Sequence, residues 1–180
     1  MTTPVTSIVD TNVVLVANGQ HQGVSPGCVA VCSLRLQAIM QQERKALGEH
    51  LILFGEWCAA RHSLEYDRLA DWLLAFDVYD RQAQLFWSSS RRNALADQLG
   101  LKVVPKVFSG KATLESLKEL LQKHPSAFRK GPMEGVVVRH ESENWLEERA
   151  KLVRSDFTQA IGEHWRNRKI EWNRLDWSQS

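Results

Sequence analysis

The chain has 180 residues, of which 43% are hydrophobic, so it is long enough to build one medium-sized domain around its own core. Its 23 basic and 21 acidic residues leave a net charge of +2, which excludes the strong positive charge of proteins that hold nucleic acid by bulk electrostatics. Three cysteines without a Cys-x-x-Cys pair indicate neither a zinc site nor a disulfide framework, and no apolar run could cross a bilayer. We therefore expect a cytoplasmic protein without a membrane partner.

The first part of the chain predicts a strand, a loop and a helix. Thr6 to Ala17 is interpreted as a short strand leading into Asp10-Thr-Asn12, whose side chains favour a turn or a helix cap. This stretch resembles the first strand of PIN-domain nucleases, in which Asp-Thr-Asn contributes one acidic metal ligand; a plain helix cap is an equally good interpretation. No further acidic motif of that kind follows. The next helix, with Cys28 and Cys32 on its apolar side, is predicted to continue to about Leu47.

Two buried strands are predicted next, and each delivers a side chain of interest. Leu51 to Trp57 is an apolar run that ends in Gly-Glu-Trp. Because burying an unpaired carboxylate is costly, Glu56 is expected to reach water or to contact a ligand or cation. Trp72 to Arg81 is the second strand, with Phe76 in its middle, where an aromatic residue taken alone would be assigned to the core.

The following stretch predicts two helices separated by a strand. Arg91 to Leu99 has helical spacing and stops at Gly100, and Val103 to Phe108 is a strand whose proline suggests a sheet edge. The second helix is amphipathic and starts after Thr113 as its cap. Its inward-facing residues are predicted to be Leu114, Leu117, Leu120 and Leu121.

The last part repeats the pairing of glycine and glutamate in reverse order. Glu134-Gly135 opens a β-branched strand that reaches Arg139; an acidic, turn-like segment follows up to Arg149, and Lys151 and Arg154 then provide cations on a strand. The tail from Phe157 to Leu175 interleaves basic residues with Trp, which can hold a phosphate backbone or stack on bases, but an amphipathic closing helix is the simpler interpretation. Two carboxylates, a lysine and arginines along one sheet are groups suited to binding a metal-bound polyphosphate.

Taken together, these motifs resemble, in order and spacing, those of ATP-dependent RNA ligases in the covalent nucleotidyltransferase superfamily. The likeness implies an α+β fold, with an ATP-grasp-like antiparallel sheet and packed helices. The matching stretches are Phe54-Gly-Glu-Trp57, Tyr66-Asp-Arg-Leu69, Phe76-Asp-Val-Tyr-Asp80, Glu134-Gly-Val-Val-Val-Arg139, Lys151-Leu-Val-Arg154, His164-Trp165 and Asn173-Arg-Leu175.

The resemblance implies a role for each matching residue. Glu56 corresponds to the glutamate that bonds the ribose of ATP, and Phe76 to the aromatic residue that stacks on adenine. Glu134 corresponds to the catalytic carboxylate that serves Mg²⁺, and Lys151 to the catalytic lysine that contacts phosphate. Arg154, like Arg139, is a candidate contact for phosphate or RNA. The implied cofactors are ATP and Mg²⁺, and the implied substrates are RNA ends, a 5′-phosphate and a 3′-hydroxyl.

One motif of the family departs from its usual place. The family's nucleophile is a lysine in a Lys-x-x-Gly motif well ahead of the Gly-Glu strand, whereas here Lys45-Ala-Leu-Gly48 is the only such motif and lies at the end of a predicted helix. We therefore expect a composite chain, with a PIN-like fragment over residues 1–41 and a truncated ligase domain over residues 42–180. Missing strands would leave a sheet edge for the N-terminal piece or a protein partner to cover.

Three functions remain open on the sequence. The first is an RNA ligase-like nucleotidyltransferase that does not adenylate itself. The second is a nucleotide- or RNA-binding module that a partner carrying the nucleophile completes in trans. The third is a PIN-type ribonuclease that uses Asp10, which is the least favoured because its other metal ligands cannot be recognised.

Overall fold

A computed structural model describes residues 3–9, 15–16, 47, 50–59, 61, 64–154 and 171–179 of the chain. The predictions for Asp10, Cys28, Cys32 and Lys45, and the tail prediction up to residue 170, lie outside these residues. The described strands are β1 (Thr3–Val9), β2 (Leu15–Val16), β3 (Leu51–Trp57), β4 (Leu73–Asp80), β5 (Leu85–Phe86), β6 (Lys102–Val103), β7 (Lys106–Ala112), β8 (Gly135–Glu141) and β9 (Leu146–Val153).

The strands form two sheets. In the described part of the chain, the four-stranded sheet has the order β7-β1-β8-β9, and all its neighbours are antiparallel. The five-stranded sheet has the antiparallel order β2-β3-β4-β5, and β6 pairs in parallel with β4. The prediction of an α+β fold built on antiparallel sheet is confirmed. Strand β1 lies between β7 and β8, so the N-terminal segment contributes a strand to the same sheet as the Glu-Gly strand.

Among the described residues, two helices with both ends resolved cover these sheets, and their ends follow from local sequence. Helix α1 (Ser89–Leu99) begins after Ser88, whose side chain accepts a hydrogen bond from the backbone of Arg91, and ends at Gly100 with φ 66°. Helix α2 (Leu114–Lys123) begins with a capping box between Thr113 and Ser116. Both helices confirm the prediction from spacing and caps. Within the described residues, no helix has the length and apolarity needed to span a membrane.

One leucine of α2 does not face inward as its spacing predicts. Leu114, at the first helical position, is 52% exposed. Leu117, Leu120 and Leu121 lie further along the helix and pack with Met133 on the apolar side of the four-stranded sheet.

In the part of the chain that the structure describes, three apolar clusters connect the elements. Helix α1 packs on one side of the five-stranded sheet, where Leu95 and Leu99 contact Ala75 and Val78. Helix α2 packs on one side of the four-stranded sheet. The third cluster, which we call the intersheet cluster, draws on both sheets. Its buried residues are Cys58, Leu69, Leu74, Val104 and Phe128, and its half-buried residues include Phe76, Val137, Tyr66, Trp72 and Leu175.

The described structure differs from the sequence prediction in three further places. The predicted single strand from Val103 to Phe108 is two strands, because the chain crosses from β6 in one sheet to β7 in the other around Pro105. The predicted turn before Lys151 is shorter than expected, since β9 already begins at Leu146. Residues 171–175 are extended instead of helical, with Leu175 bridging to Leu69.

Candidate nucleotide site between the sheets

An irregularity between β3 and β4 determines which side chains face the second sheet. Phe54 pairs with Asp77 and Gly55 with Ala75, so Phe76 is an extra residue, as in a β-bulge. Ala75 and Val78 consequently share the side that faces α1. Phe76 packs instead in the intersheet cluster, and Asp77 bonds to arginines of the four-stranded sheet.

Glu56 lies on the same face of the five-stranded sheet as Phe76. It stands directly opposite Leu74 on β4, and directly opposite residues of neighbouring strands point to the same side. Leu74 packs in the intersheet cluster, and Phe54, two residues before Glu56, has its ring 6.5 Å from that of Phe76. The ribose and adenine candidates therefore both lie on the side of the five-stranded sheet that faces the intersheet cluster.

Lys151 lies on the side of the four-stranded sheet that faces the intersheet cluster. It is directly opposite Val137 on β8, and Val137 packs in the intersheet cluster with Phe76. Because paired residues share a face, the exposed Lys151 side chain starts on the side of the sheet that faces Phe76. Arg154 follows the end of the same strand, and its backbone N–H donates to the carbonyl of Glu134 over 2.9 Å.

Glu134 lies at the border of the intersheet cluster, one residue before β8 begins. It is 4% exposed, and its Oε1 accepts a hydrogen bond of 3.2 Å from the hydroxyl of Tyr66. In the described part of the chain, no group of three His, Cys, Asp or Glu side chains could hold a metal ion. Glu134 nevertheless suits a divalent cation, since Mg²⁺ is commonly held by one or two carboxylates together with substrate phosphates.

The two glycines next to these glutamates allow close strand contact. A Cβ atom at Gly135 would lie 2.7 Å from the backbone oxygen of Leu152 and 3.2 Å from Cα of Val153. At Gly55 a Cβ atom would lie 2.9 Å from the Leu73 side chain and 3.2 Å from the Leu74 carbonyl oxygen. The glycines of the Gly-Glu and Glu-Gly steps thus permit the strand spacing on which the glutamates depend.

A buried ionic network joins the two sheets beside the site. Arg139 donates to Asp77 and to Glu141, at 2.5 Å each, and Glu141 also accepts from the hydroxyl of Ser89 at 2.7 Å. Arg149 donates to the second oxygen of Asp77 at 2.6 Å. The expectation that Arg139 contacts phosphate or RNA is wrong for this structure, because its guanidinium is buried and bonded to these carboxylates.

The network shifts the pKa values of its members in directions that follow from its geometry. Burial lowers the pKa of Arg139. The charges and hydrogen bonds of Asp77 and Glu141 together raise this pKa by a larger amount, so the net shift is upward. Burial, together with the charge of Arg139, lowers the pKa of Arg92 to about 10. Arg92 donates to the backbone carbonyl of Phe76 at 2.6 Å, so a buried cation also fixes the bulge.

Cys58, directly after β3, is buried in the intersheet cluster. Burial raises the pKa of its thiol, and the negative charge of Glu56 raises it further. Nucleophilic cysteines need a lowered pKa, so Cys58 is a packing residue of the intersheet cluster.

Glu56, Phe76 and Lys151 lie on the sheet faces that border the intersheet cluster, and their roles stay predictions. The sequence prediction gives no role to several other residues of this region. Tyr66 and Asn173 belong to stretches that the family resemblance singles out, and the structure connects them to Glu134. Asp77, adjacent to Phe76, is detectable as a charge in a buried strand. Its arginine partners come from distant strands, and the local sequence gives no signal that they pair with Asp77.

Comparisons with known proteins agree with this architecture. A family model described as RNA ligase matches residues 9–153 of the chain. The match begins before Asp10, so it includes most of the segment interpreted as PIN-like; that interpretation gains no support here, and the boundary near residue 41 stays a prediction.

A solved structure also resembles the chain. It is a mutant of the Naegleria gruberi RNA ligase with ATP and Mn, and it shares 16% sequence identity with this chain at a TM-score of 0.57. The resemblance covers 83% of this chain and 50% of the other, so this chain spans about half the length of that ligase chain. No curated protein matches.

Proposed function

Because the chain belongs to the RNA ligase family, we propose that it binds ATP with a divalent cation in the cleft between its two sheets. Phe76 stacks on adenine, Glu56 bonds the ribose, Lys151 and Arg154 contact the phosphates, and Glu134 serves the cation, which is Mg²⁺ in the cell. The observation that carries this proposal is the shared cleft face: Glu56, Phe76 and Lys151 border one apolar cluster, with Glu134 at its edge.

The arrangement suits phosphoryl and nucleotidyl transfer. Displacement at phosphorus requires cations on the equatorial oxygens and a metal held by carboxylate, since catalysis consists largely of positioning and charge stabilisation. A lysine offers the compact positive charge that such an oxygen needs. In the complete reaction a nucleophilic lysine attacks the α-phosphorus of ATP and releases pyrophosphate, AMP passes to an RNA 5′-phosphate, and the 3′-hydroxyl of the other end displaces AMP.

We further propose that this chain alone does not carry out the first of these steps. Lys45-Ala-Leu-Gly48 is its only Lys-x-x-Gly sequence, and it comes immediately before the Gly-Glu strand β3 instead of well ahead of it. Incubation with α-labelled ATP and Mg²⁺, followed by denaturing electrophoresis, is expected to give no labelled protein. A stable adduct on Lys45 or another lysine would show a self-adenylating ligase. Ligation that appears only after a second protein is added would favour completion in trans.

Equilibrium dialysis with ATP and MgCl₂ tests the binding proposal. Phe76→Leu keeps an apolar side chain but removes the stacking face, so binding should weaken at least about fivefold, since base stacking on an aromatic is worth ~1–3 kcal/mol. Phe108→Leu is the matched control, because Phe108 is 38% exposed on β7 and has no role in the proposed site. Absence of ATP binding by the wild type, or equal losses in both variants, would contradict the proposal.

A further inference from the structure

Tyr66 occupies the junction between the intersheet cluster and Glu134. Its hydroxyl donates to Oε1 of Glu134 at 3.2 Å, and its ring packs edge-on against Phe128 with the ring centroids 5.7 Å apart. The hydroxyl is thus held at the carboxylate by a ring that is itself fixed by packing. A donor on one oxygen restricts the rotation of a carboxylate.

The backbone of Tyr66 is fixed by the C-terminal segment. Its N–H donates to Oδ1 of Asn173 at 2.8 Å, and its carbonyl accepts from the backbone N–H of Arg174 at 2.8 Å. Asn173 is 4% exposed, and its Nδ2 donates to the carbonyl of Cys58 at 2.8 Å. One buried amide therefore ties Tyr66 to the end of β3, two residues beyond Glu56.

The same connection extends to the strand that carries Lys151. The carbonyl of Glu134 accepts from the backbone of Arg154, directly after β9. The hydrogen-bonded path therefore runs from Cys58 through Asn173 and Tyr66 to Glu134 and on to Arg154. These residues come from places far apart in the sequence but meet at the groups proposed for ribose, cation and phosphate.

We propose that Tyr66 is a positioning residue that sets the Glu134 carboxylate for the divalent cation, with Asn173 holding Tyr66 in place from the C-terminal segment. This inference rests on the proposed function, because it assigns Glu134 to the cation. Residues that hydrogen-bond a metal-binding carboxylate affect metal affinity without touching the metal. Tyr66 therefore acts on the cation requirement of ATP binding and leaves the contacts of the base and ribose unchanged.

Tyr66→Phe tests this by removing one oxygen while keeping the ring against Phe128. Binding of radiolabelled ATP is measured by equilibrium dialysis over a range of MnCl₂ concentrations and in EDTA. The Mn²⁺ concentration for half-maximal binding should rise about tenfold, the low end of the effects of losing such a partner. Binding in EDTA should stay within about twofold of the wild type.

Two controls separate positioning from a general structural effect. Tyr79→Phe removes the same atom from the chain's other tyrosine, on β4, and should leave the Mn²⁺ dependence unchanged. In the Glu134→Gln background, Tyr66→Phe should add no further change in Mn²⁺ dependence, because the group through which it acts has already been altered.

Each failure points to a different claim. If the wild type shows no Mn²⁺-dependent ATP binding, the proposed function fails, and the role of Tyr66 fails with it. If the wild type shows that dependence and Tyr66→Phe does not change it, the positioning role alone is wrong. The positioning role is also wrong if Tyr66→Phe weakens binding equally in EDTA, or still shifts the Mn²⁺ dependence when Glu134 is already glutamine.

Discussion

Asp77 and Arg139 form a buried ion pair that joins the two sheets, with Oδ1 of Asp77 2.5 Å from Nη1 of Arg139. Asp77 directly follows Phe76 in the bulge of β4, and Arg139 lies on β8, which begins one residue after Glu134. The pair therefore joins the strand that carries Phe76 to the strand that begins after Glu134. An interior pair of this kind helps specify one arrangement of the sheets more than it adds stability over an apolar pair.

Breaking this pair should be strongly destabilising. Asp77→Asn leaves the buried Arg139 with Glu141 as its carboxylate partner and removes the charge that also pairs with Arg149, so the free energy of unfolding should fall by about 3 kcal/mol, as measured by urea denaturation. Glu171→Gln is the control, because Glu171 pairs with Arg61 at 2.6 Å on the exposed surface. That change should cost about 0.5 kcal/mol or less. Equal losses in the two variants would contradict the role assigned to Asp77.

The lowered pKa of Glu141 predicts how the free energy of unfolding changes in acid. Burial raises its pKa, but hydrogen bonds from Arg139 and Ser89 together lower that pKa by a larger amount. The folded-state pKa therefore lies below the ordinary value of 4.5. The unfolded chain then binds more protons in this range, and the stabilisation from Glu141, complete above 4.5, is lost as the pH falls through the folded pKa.

The matching experiment compares Glu141→Gln with the wild type between about pH 7 and pH 3. The variant should be less stable at neutral pH, and the difference in unfolding free energy should shrink as the solution is acidified. Glu119→Gln, on the exposed face of α2 beside Lys123, should show little difference at any pH. A difference for Glu141→Gln that stays constant with pH would mean that its ionised form is not preferentially stabilised in the folded protein.

Any side chain at position 135 should lower both the stability of the fold and the affinity for ATP. A Cβ atom there would lie 2.7 Å from a backbone oxygen of β9, so Gly135→Ala should push β9 away from β8 and cost about 1–3 kcal/mol of stability. ATP binding should weaken as well, since Lys151 moves relative to Glu134.

Gly100→Ala separates these two effects. Gly100 has φ 66° at the end of α1, and a Cβ atom there would meet nothing within 4 Å, so the cost of the change is conformational, roughly 1 kcal/mol. This control should lower the melting temperature but leave ATP affinity unchanged at a temperature where the protein is folded. If Gly135→Ala likewise leaves ATP affinity unchanged, the spacing of β8 and β9 does not set the site.

Lys151 should contribute to binding of phosphate and not of the nucleoside. Lys151→Met keeps the length and apolar stem of the side chain but removes the charge, so ATP should bind about tenfold more weakly, the loss expected of a charge-assisted hydrogen bond. Adenosine affinity should not change. Lys106→Met, at an exposed lysine of β7, provides the control. A parallel loss of ATP and adenosine affinity would place Lys151 away from the phosphates.

The sequence predicts correctly those elements whose signal is local. The continuous apolar run places the strand from Leu51 to Trp57, and spacing together with Gly100 and Thr113 places α1 and α2. The faces of Glu56 and Phe76 depend on a one-residue register shift, which no property of either strand alone could specify.

Other features depend on partners far away in the chain. Pro105 suggests a sheet edge, but the chain changes sheets there, and this depends on β1 being available to pair with β7. The segment around Asn173 has the composition of an amphipathic helix, yet it is extended because its backbone bonds to Ala59, Tyr66 and Leu69. Tertiary hydrogen bonds outweigh the helix propensities of these residues, which usually differ by roughly a few tenths of a kcal/mol per residue.

The most direct test of the central claim is to locate bound nucleotide by photolabelling with 8-azido-ATP and MnCl₂, followed by peptide mapping. Label is expected in the strand pair Leu51–Trp57 and Leu73–Asp80, next to Phe76, and excess ATP should suppress its incorporation. Label confined to α2 or β7, or label that ATP does not displace, would contradict a nucleotide site between the sheets.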